Sequence, residues 1–262
     1  MGGCHVDGYL VGEDRSFPAV LSGILFNENI SHELKIVPYF IAKDAQAFQK
    51  IAEDMIPDVL ILQIGNYEFL PVFYKGIKKK LGIKTIISKT QKAKSYKIKT
   101  LDMKNKIDKG LLIDDMKFFK ETVNFKIKMA IKNMIITVFR YPFFNEDKVV
   151  EDINRLFIQI KSLKIAKVII LSPLPCADTG VMRYRGLGAQ LVKQKTHEYG
   201  FDYVNMLDDL LTPYQDAATT VDIFIDENHL NIKGHLVVGT ILGENLAKQA
   251  KKTQYPKLAL VK

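Results

Sequence analysis

Two places in this 262-residue chain carry side chains suited to making and breaking bonds. Near the C-terminus stands Asp226-Glu227-Asn228-His229-Leu230-Asn231-Ile232-Lys233-Gly234-His235. An Asp three residues ahead of a His suits general-base chemistry. One ring nitrogen must face the reacting group while an acceptor holds the other. The competing reading is a helix start, with Asp226 capping the final helix and His229 packed beside it. At the other end, Gly2-Gly3-Cys4-His5 sets a thiol in a glycine turn. A thiol assisted by a histidine is a competent acyl acceptor, and the mouth of a helix favours its thiolate. The alternative is a buried, inert cysteine.

These blocks resemble the sequence blocks of the SGNH/GDSL hydrolase superfamily. The ten residues from Asp226 to His235 are similar to its last block. Gly2-Gly3-Cys4-His5 resembles its Gly-Asp-Ser-Leu turn, with Cys4 at the position of the nucleophilic serine. Ser16-Phe17-Pro18-Ala19-Val20-Leu21 resembles the apolar start of its first helix. Gln63-Ile64-Gly65-Asn66-Tyr67-Glu68 stands where the family has Gly-x-Asn-Asp, though Asn66 falls one residue early and Tyr67 takes the asparagine position. The resemblance covers about two-thirds of the chain and implies a Cys4/His229/Asp226 triad. Asn66 or Tyr67 would join backbone amides in binding the oxyanion; equally, Asn66 simply makes the turn after a strand.

The remaining candidates read as structural. His235 is expected to pack or cap, His5 to be an exposed loop histidine, with substrate binding as the alternative, and Cys176 to be a small buried residue, with a place in the pocket lining as the alternative. The five histidines and two cysteines show no zinc-like spacing. Gly186-Leu187-Gly188 lies inside an expected helix and is no phosphate loop.

Positioning such residues needs a sheet with helices around it. Helical spacing is read at 17–25, 45–55, 152–163, 183–199 and 230–251. Strands are read at 34–40, made imperfect by Pro38, and at 58–64, 166–171 and 201–206. Strands separated by helices imply parallel pairing. The expected fold is therefore α/β: a three-layer α/β/α sandwich with a mostly parallel sheet, the flavodoxin-like arrangement of the SGNH family. One such domain spans 1–262, with a lysine-rich insertion or cap at about 70–148, where 111–138 has room for one or two amphipathic helices. The glycine-cysteine turn comes too early to leave room for a first strand. Truncation is the favoured explanation, with another segment filling the gap as the alternative.

Charge is concentrated. Lys75 to Lys109 holds thirteen lysines against Asp102 and Asp108, or +11, so the rest of the chain carries −2 of the net +9. Such a segment suits an anionic glycan or membrane surface, or is a solvated loop. Nucleic acid is disfavoured, because only Tyr96 interrupts the later lysine run and no stacking array follows. Two cysteines make no disulfide framework, no run approaches about 20 apolar residues, and no signal peptide is visible, so a cytoplasmic location is expected. The implied activity is hydrolysis or transfer of acetyl or short acyl groups on small or carbohydrate-type esters. Hydrolysis needs no cofactor; transfer could use an acyl-thioester donor. A non-catalytic binding protein on the same fold is the second reading. The sequence leaves the acyl group, the acceptor and the oligomeric state open.

Overall fold

The computed structural model describes residues 1–69, 96, 98–101, 118–139, 146–211 and 220–253. In chain order the helices and strands are α1 (Phe17–Asn27), β1 (Leu34–Ile36), α2 (Ala45–Asp54), β2 (Val59–Gln63) and β3 (Lys99–Leu101). There follow α3 (Val123–Phe139), α4 (Glu146–Ser162), β4 (Lys167–Leu171), α5 (Thr179–Tyr199), β5 (Asp202–Val204), α6 (Met206–Leu211) and α7 (Ile232–Thr253). The protein is mixed α/β, with a parallel sheet of three strands. The chain divides into two interleaved compact units. The first takes Met1–Gly3, Phe40–Tyr96 and Glu121–Asp209; the second takes Cys4–Tyr39, Lys97–Lys120 and Leu210–Lys262.

The first unit is built on the sheet β2-β4-β5, whose pairings are all parallel. Val168, Ile169, Ile170 and Leu171 are all buried, the composition of a strand covered on both faces. Helix α4 buries Val149, Ile153, Leu156, Phe157 and Ile160, a single face at helical spacing. Each such apolar side chain contributes about 1.5–3 kcal/mol by leaving water. Asp178 caps α5 by accepting from the Val181 amide at 3.1 Å, and Gly200 ends it at φ 74. Within α5, Gly188 is required by packing: a Cβ there would lie 2.2 Å from the Phe69 ring. Buried Arg185 donates to the carbonyls of Leu174 and Pro175, bracing the loop after β4. Met1 lies along β2, its amino group on the Ile61 carbonyl at 2.7 Å and its carbonyl accepting from Gln63 N at 2.9 Å. Met1 thus hydrogen-bonds along β2 where the sequence offered no strand.

The second unit packs α1 against α7 and pairs β1 with β3 antiparallel, Leu34 opposite Leu101 and Ile36 opposite Lys99. The strand expected at 34–40 stops at Ile36. Pro38 has no amide proton for a ladder, and Tyr39 takes φ 60, a left-handed conformation that no strand continues. Ser16 begins α1, its hydroxyl accepting from the Ala19 amide. The helices α1 and α7 meet closely because α7 presents glycines: a Cβ on Gly239 would lie 2.5 Å from Val20 Cβ, and one on Gly243 would lie 2.9 Å from Ile24 Cβ.

Of the lysine-rich segment, Tyr96 and 98–101 are described, with Lys99 in β3; the rest of 70–117 lies outside the described residues. The helical stretch expected within 111–138 holds one described helix, α3. Among the described residues no helix is long and apolar enough to cross a membrane.

Candidate active site

Cys4, Asp226 and His229 come from opposite ends of the chain, yet all belong to the second unit. Cys4 opens a short 3-10 turn, Cys4–Asp7, and is 7% exposed. Asp226 lies in the loop ahead of α7. Its Oδ1 accepts from the amides of Asn228 at 2.7 Å and His229 at 2.8 Å, an Asx turn that fixes the carboxylate beside the histidine. The His229 Nδ1 stands 2.8 Å from Asp226 Oδ2. The other side of His229 hydrogen-bonds Cys4. With Nδ1 committed to Asp226, the nitrogen left for the thiol is Nε2.

The helix-cap reading of Asp226 fails on this geometry. The cap of α7 is Asn231, whose Oδ1 accepts from the Gly234 amide at 3.1 Å and whose Nδ2 donates to the Asp222 carbonyl at 2.7 Å. Gly234 is needed there, since a Cβ would lie 2.8 Å from the Ile223 carbonyl oxygen. The cap and the histidine's partner are therefore separate residues five positions apart.

Electrostatics favour a charged His229. Burial opposes the charge, but the hydrogen bonds to Asp226 and Cys4 and the charges of both outweigh it, lifting the pKa to about 9. Burial also raises Asp226, and its bonds from His229 and the Asn228 amide more than offset this, leaving it below the usual carboxylate range.

His5 departs from expectation. It is 1% exposed rather than a surface loop residue. Its Nδ1 is 3.7 Å from Cys4 Sγ, and its Nε2 accepts from the Leu230 amide at 3.3 Å. Its ring lies 5.4 Å from that of His229 and 5.8 Å from that of His235. His235 packs, as expected, with Nδ1 accepting from the Phe17 amide at 3.1 Å. Burial, aided by the charge of His229, lowers its pKa to about 3. No sequence signal marks His5, because its partner amide is 225 residues away.

Around the pair stand residues the sequence did not single out. The Tyr9 ring is 4.8 Å from His229 and 45% exposed. The Tyr39 hydroxyl bonds Asp7 and feels the charge of Cys4; burial and Asp7 raise its pKa. Lys99 joins Asp7 at 2.5 Å and Glu13 at 3.7 Å.

The oxyanion candidates belong to the first unit. Asn66 is buried, and its Oδ1 accepts from the Leu174 amide at 2.8 Å, tying the end of β2 to the loop after β4. Its Nδ2 is the end with protons to donate. Tyr67 is 39% exposed, and its ring would meet a Cβ on Gly3 at 3.0 Å, which explains glycine at the position before Cys4. Gly3 N also donates to Gln63 Oε1 at 3.2 Å. Cys176 is buried, donates to the Asp178 carbonyl, and has a pKa raised by desolvation, the profile of an inert thiol. Among the described residues no cluster of three or more His, Cys, Asp and Glu is arranged to hold a metal ion.

Comparison of the chain with family models, with curated proteins and with solved structures finds no match.

Proposed function

We propose that the chain is an SGNH/GDSL-type acyl-ester hydrolase or acyltransferase with a Cys4/His229/Asp226 triad, on a three-layer α/β/α version of that fold. The observation that carries the reading is the series Cys4, His229, Asp226: a thiol on one side of an imidazole and a carboxylate on the other. Sequence resemblance alone supplies the superfamily.

The chemistry follows from that series. Cys4 gives its proton to His229 Nε2, and its sulfur attacks the ester carbonyl. The new C–S bond forms as the ester C–O bond breaks, and the departing alkoxide takes the proton from Nε2. Water or a second alcohol then attacks the thioester, losing its proton to Nε2, and the sulfur leaves. Asp226 keeps Nδ1–H in place throughout and offsets the imidazolium charge. Backbone amides beside Cys4 are the proposed oxyanion donors. Exposed Tyr9, its ring tilted by 50° to that of the site histidine, offers a face on which a sugar ring could stack.

The test is a screen of acetyl and short-acyl esters, including sugar acetates, with intact-mass detection of an acyl-enzyme. One acyl increment on the native chain and none on Cys4→Ala is expected, with Cys4→Ser keeping part of the activity. Full esterase activity in Cys4→Ala would place the nucleophile elsewhere. The second reading, a non-catalytic binding protein, is favoured by the altered turn at Gly2-Gly3-Cys4 and by Asn66 falling one residue early. It predicts a folded protein that forms no acyl-enzyme with any ester.

A further inference from the structure

Three imidazoles line up in the second unit, and two of them are held neutral by backbone donors. His235 Nδ1 accepts from Phe17 N, and His5 Nε2 accepts from Leu230 N. A ring nitrogen that accepts an N–H carries no proton of its own, so the proton of each neutral ring sits on the opposite nitrogen. For His5 that nitrogen is Nδ1, which faces the Cys4 sulfur at 3.7 Å. His5 is therefore unable to take the thiol proton, because the nitrogen facing the sulfur is already protonated. Of these two rings, His229 is the one placed to accept it.

We propose that His5 is a fixed hydrogen-bond donor to Cys4, so that the resting nucleophile is a thiolate held between a neutral His5 and a protonated His229. The inference rests on the reading of Cys4 as the nucleophile and names a positioning residue for it. The balance is simple: the S–H bond of Cys4 breaks, an N–H bond forms on His229 Nε2, and His5 exchanges no proton. Donation to an anionic sulfur is stronger than donation to a thiol, so His5 favours the charged form. Other charged or titratable described groups also bear on the sulfur. Asp226 stands behind His229, and His235 lies beyond His5 and stays neutral. The Tyr39 hydroxyl faces Cys4 electrostatically and is tied to Asp7, which Lys99 neutralises. Tyr9 faces His229. The Leu230 amide that orients His5 belongs to the residue after His229, so one backbone segment sets both imidazoles.

Two measurements decide it, and neither requires ester turnover. Nitrogen-15 NMR of the histidine rings in the native chain should show His5 neutral, protonated on Nδ1, from pH 5 to pH 9. Iodoacetamide labelling at Cys4, followed by peptide mass mapping, should be rapid at pH 6. In His5→Phe it should be slower by about tenfold, the order expected for losing a hydrogen bond to a charged group. His5→Asn, which keeps an N–H donor, should recover most of the rate. A His5 protonated on Nε2, or one that titrates between pH 5 and pH 8, overturns the proposal, as does a folded His5→Phe that labels like the native chain. If His5→Phe does not fold, the NMR on the native protein decides. A protein that passes both tests yet forms no acyl-enzyme would overturn the proposed reaction and leave the thiolate standing.

Discussion

His235 Nδ1 holds the amide proton of Phe17 at 3.1 Å, joining the first turn of α7 to the first turn of α1 across 218 residues of sequence. The ring is fully buried and can do this only while neutral. His235 and His229 thus respond to pH in opposite directions.

Acid should weaken the fold through His235. Its pKa falls from the ordinary 6.5 to about 3 on folding. The folded form resists a proton that the unfolded chain accepts, so the stability this ring contributes is present above about pH 6.5 and lost as pH falls towards 3. Denaturant unfolding measured from pH 7 to pH 4 should show that decline. His235→Asn should have a flatter profile, together with lower stability at pH 7. An unchanged slope would place the acid sensitivity in other groups.

Alkali should act through His229. Its pKa is raised from 6.5 to about 9, so the stability it contributes is complete below about pH 6.5 and lost as pH rises through about 9. Turnover should fall over the same alkaline limb, because the leaving alkoxide needs the imidazolium proton. Asp226→Asn should move that limb to lower pH and reduce turnover by roughly two to four orders of magnitude. An alkaline limb that stays in place would mean that Asp226 does not hold the histidine charge.

Two glycines should respond oppositely to the same methyl group. A Cβ at Gly186 meets nothing within 4 Å, so Gly186→Ala should stabilise α5 by about 0.5–1 kcal/mol through helix propensity. At Gly239 the new atom would lie 2.5 Å from Val20 Cβ and 2.8 Å from the Phe17 carbonyl oxygen. Gly239→Ala should destabilise by about 1–3 kcal/mol. Urea midpoints of the two variants would settle both signs.

The lysine-rich segment is proposed to engage an acidic glycan or an anionic membrane surface. Replacing Lys78, Lys79, Lys80, Lys92, Lys94 and Lys97 by Gln should weaken binding to both kinds of surface, while turnover of a small neutral ester stays nearly intact. Binding by the native chain should fall steeply as salt shortens the screening length to about 10 Å and below. A native chain that binds neither surface at low salt has no such partner.

Much of the first unit was legible because its signals are local. The run from Val168 to Leu171 is apolar without a break, and Gly200 ends α5 as a left-handed glycine should. The termination of β1 at Ile36 was half legible: Pro38 is visible in the sequence, but the positive φ of Tyr39 is a product of its surroundings. At the site, the link between Asp226 and His229 was readable because three residues span one turn. The placement of His5 was not, since burial and an amide from Leu230 decide it and neither leaves a mark near residue 5. The choice between Asp226 and Asn231 as helix cap was hidden for a related reason. Both residue types cap well, and only the backbone path distinguishes them.

The glycines of α7 also govern how the site can move. With Gly239 and Gly243 pressed against Val20 and Ile24, no side chain stands between the two helices at these points to act as a bearing. Sliding helices meshed at that depth past one another would drive the backbone of one into the side chains of the other. Among the described residues, a parting of Cys4 from His229 that leaves the helix pair in place would fall to the short connections, residues 5–16 ahead of α1 and 225–231 ahead of α7. The helix pair is the frame, and the two loops are the hinges placed to move upon it.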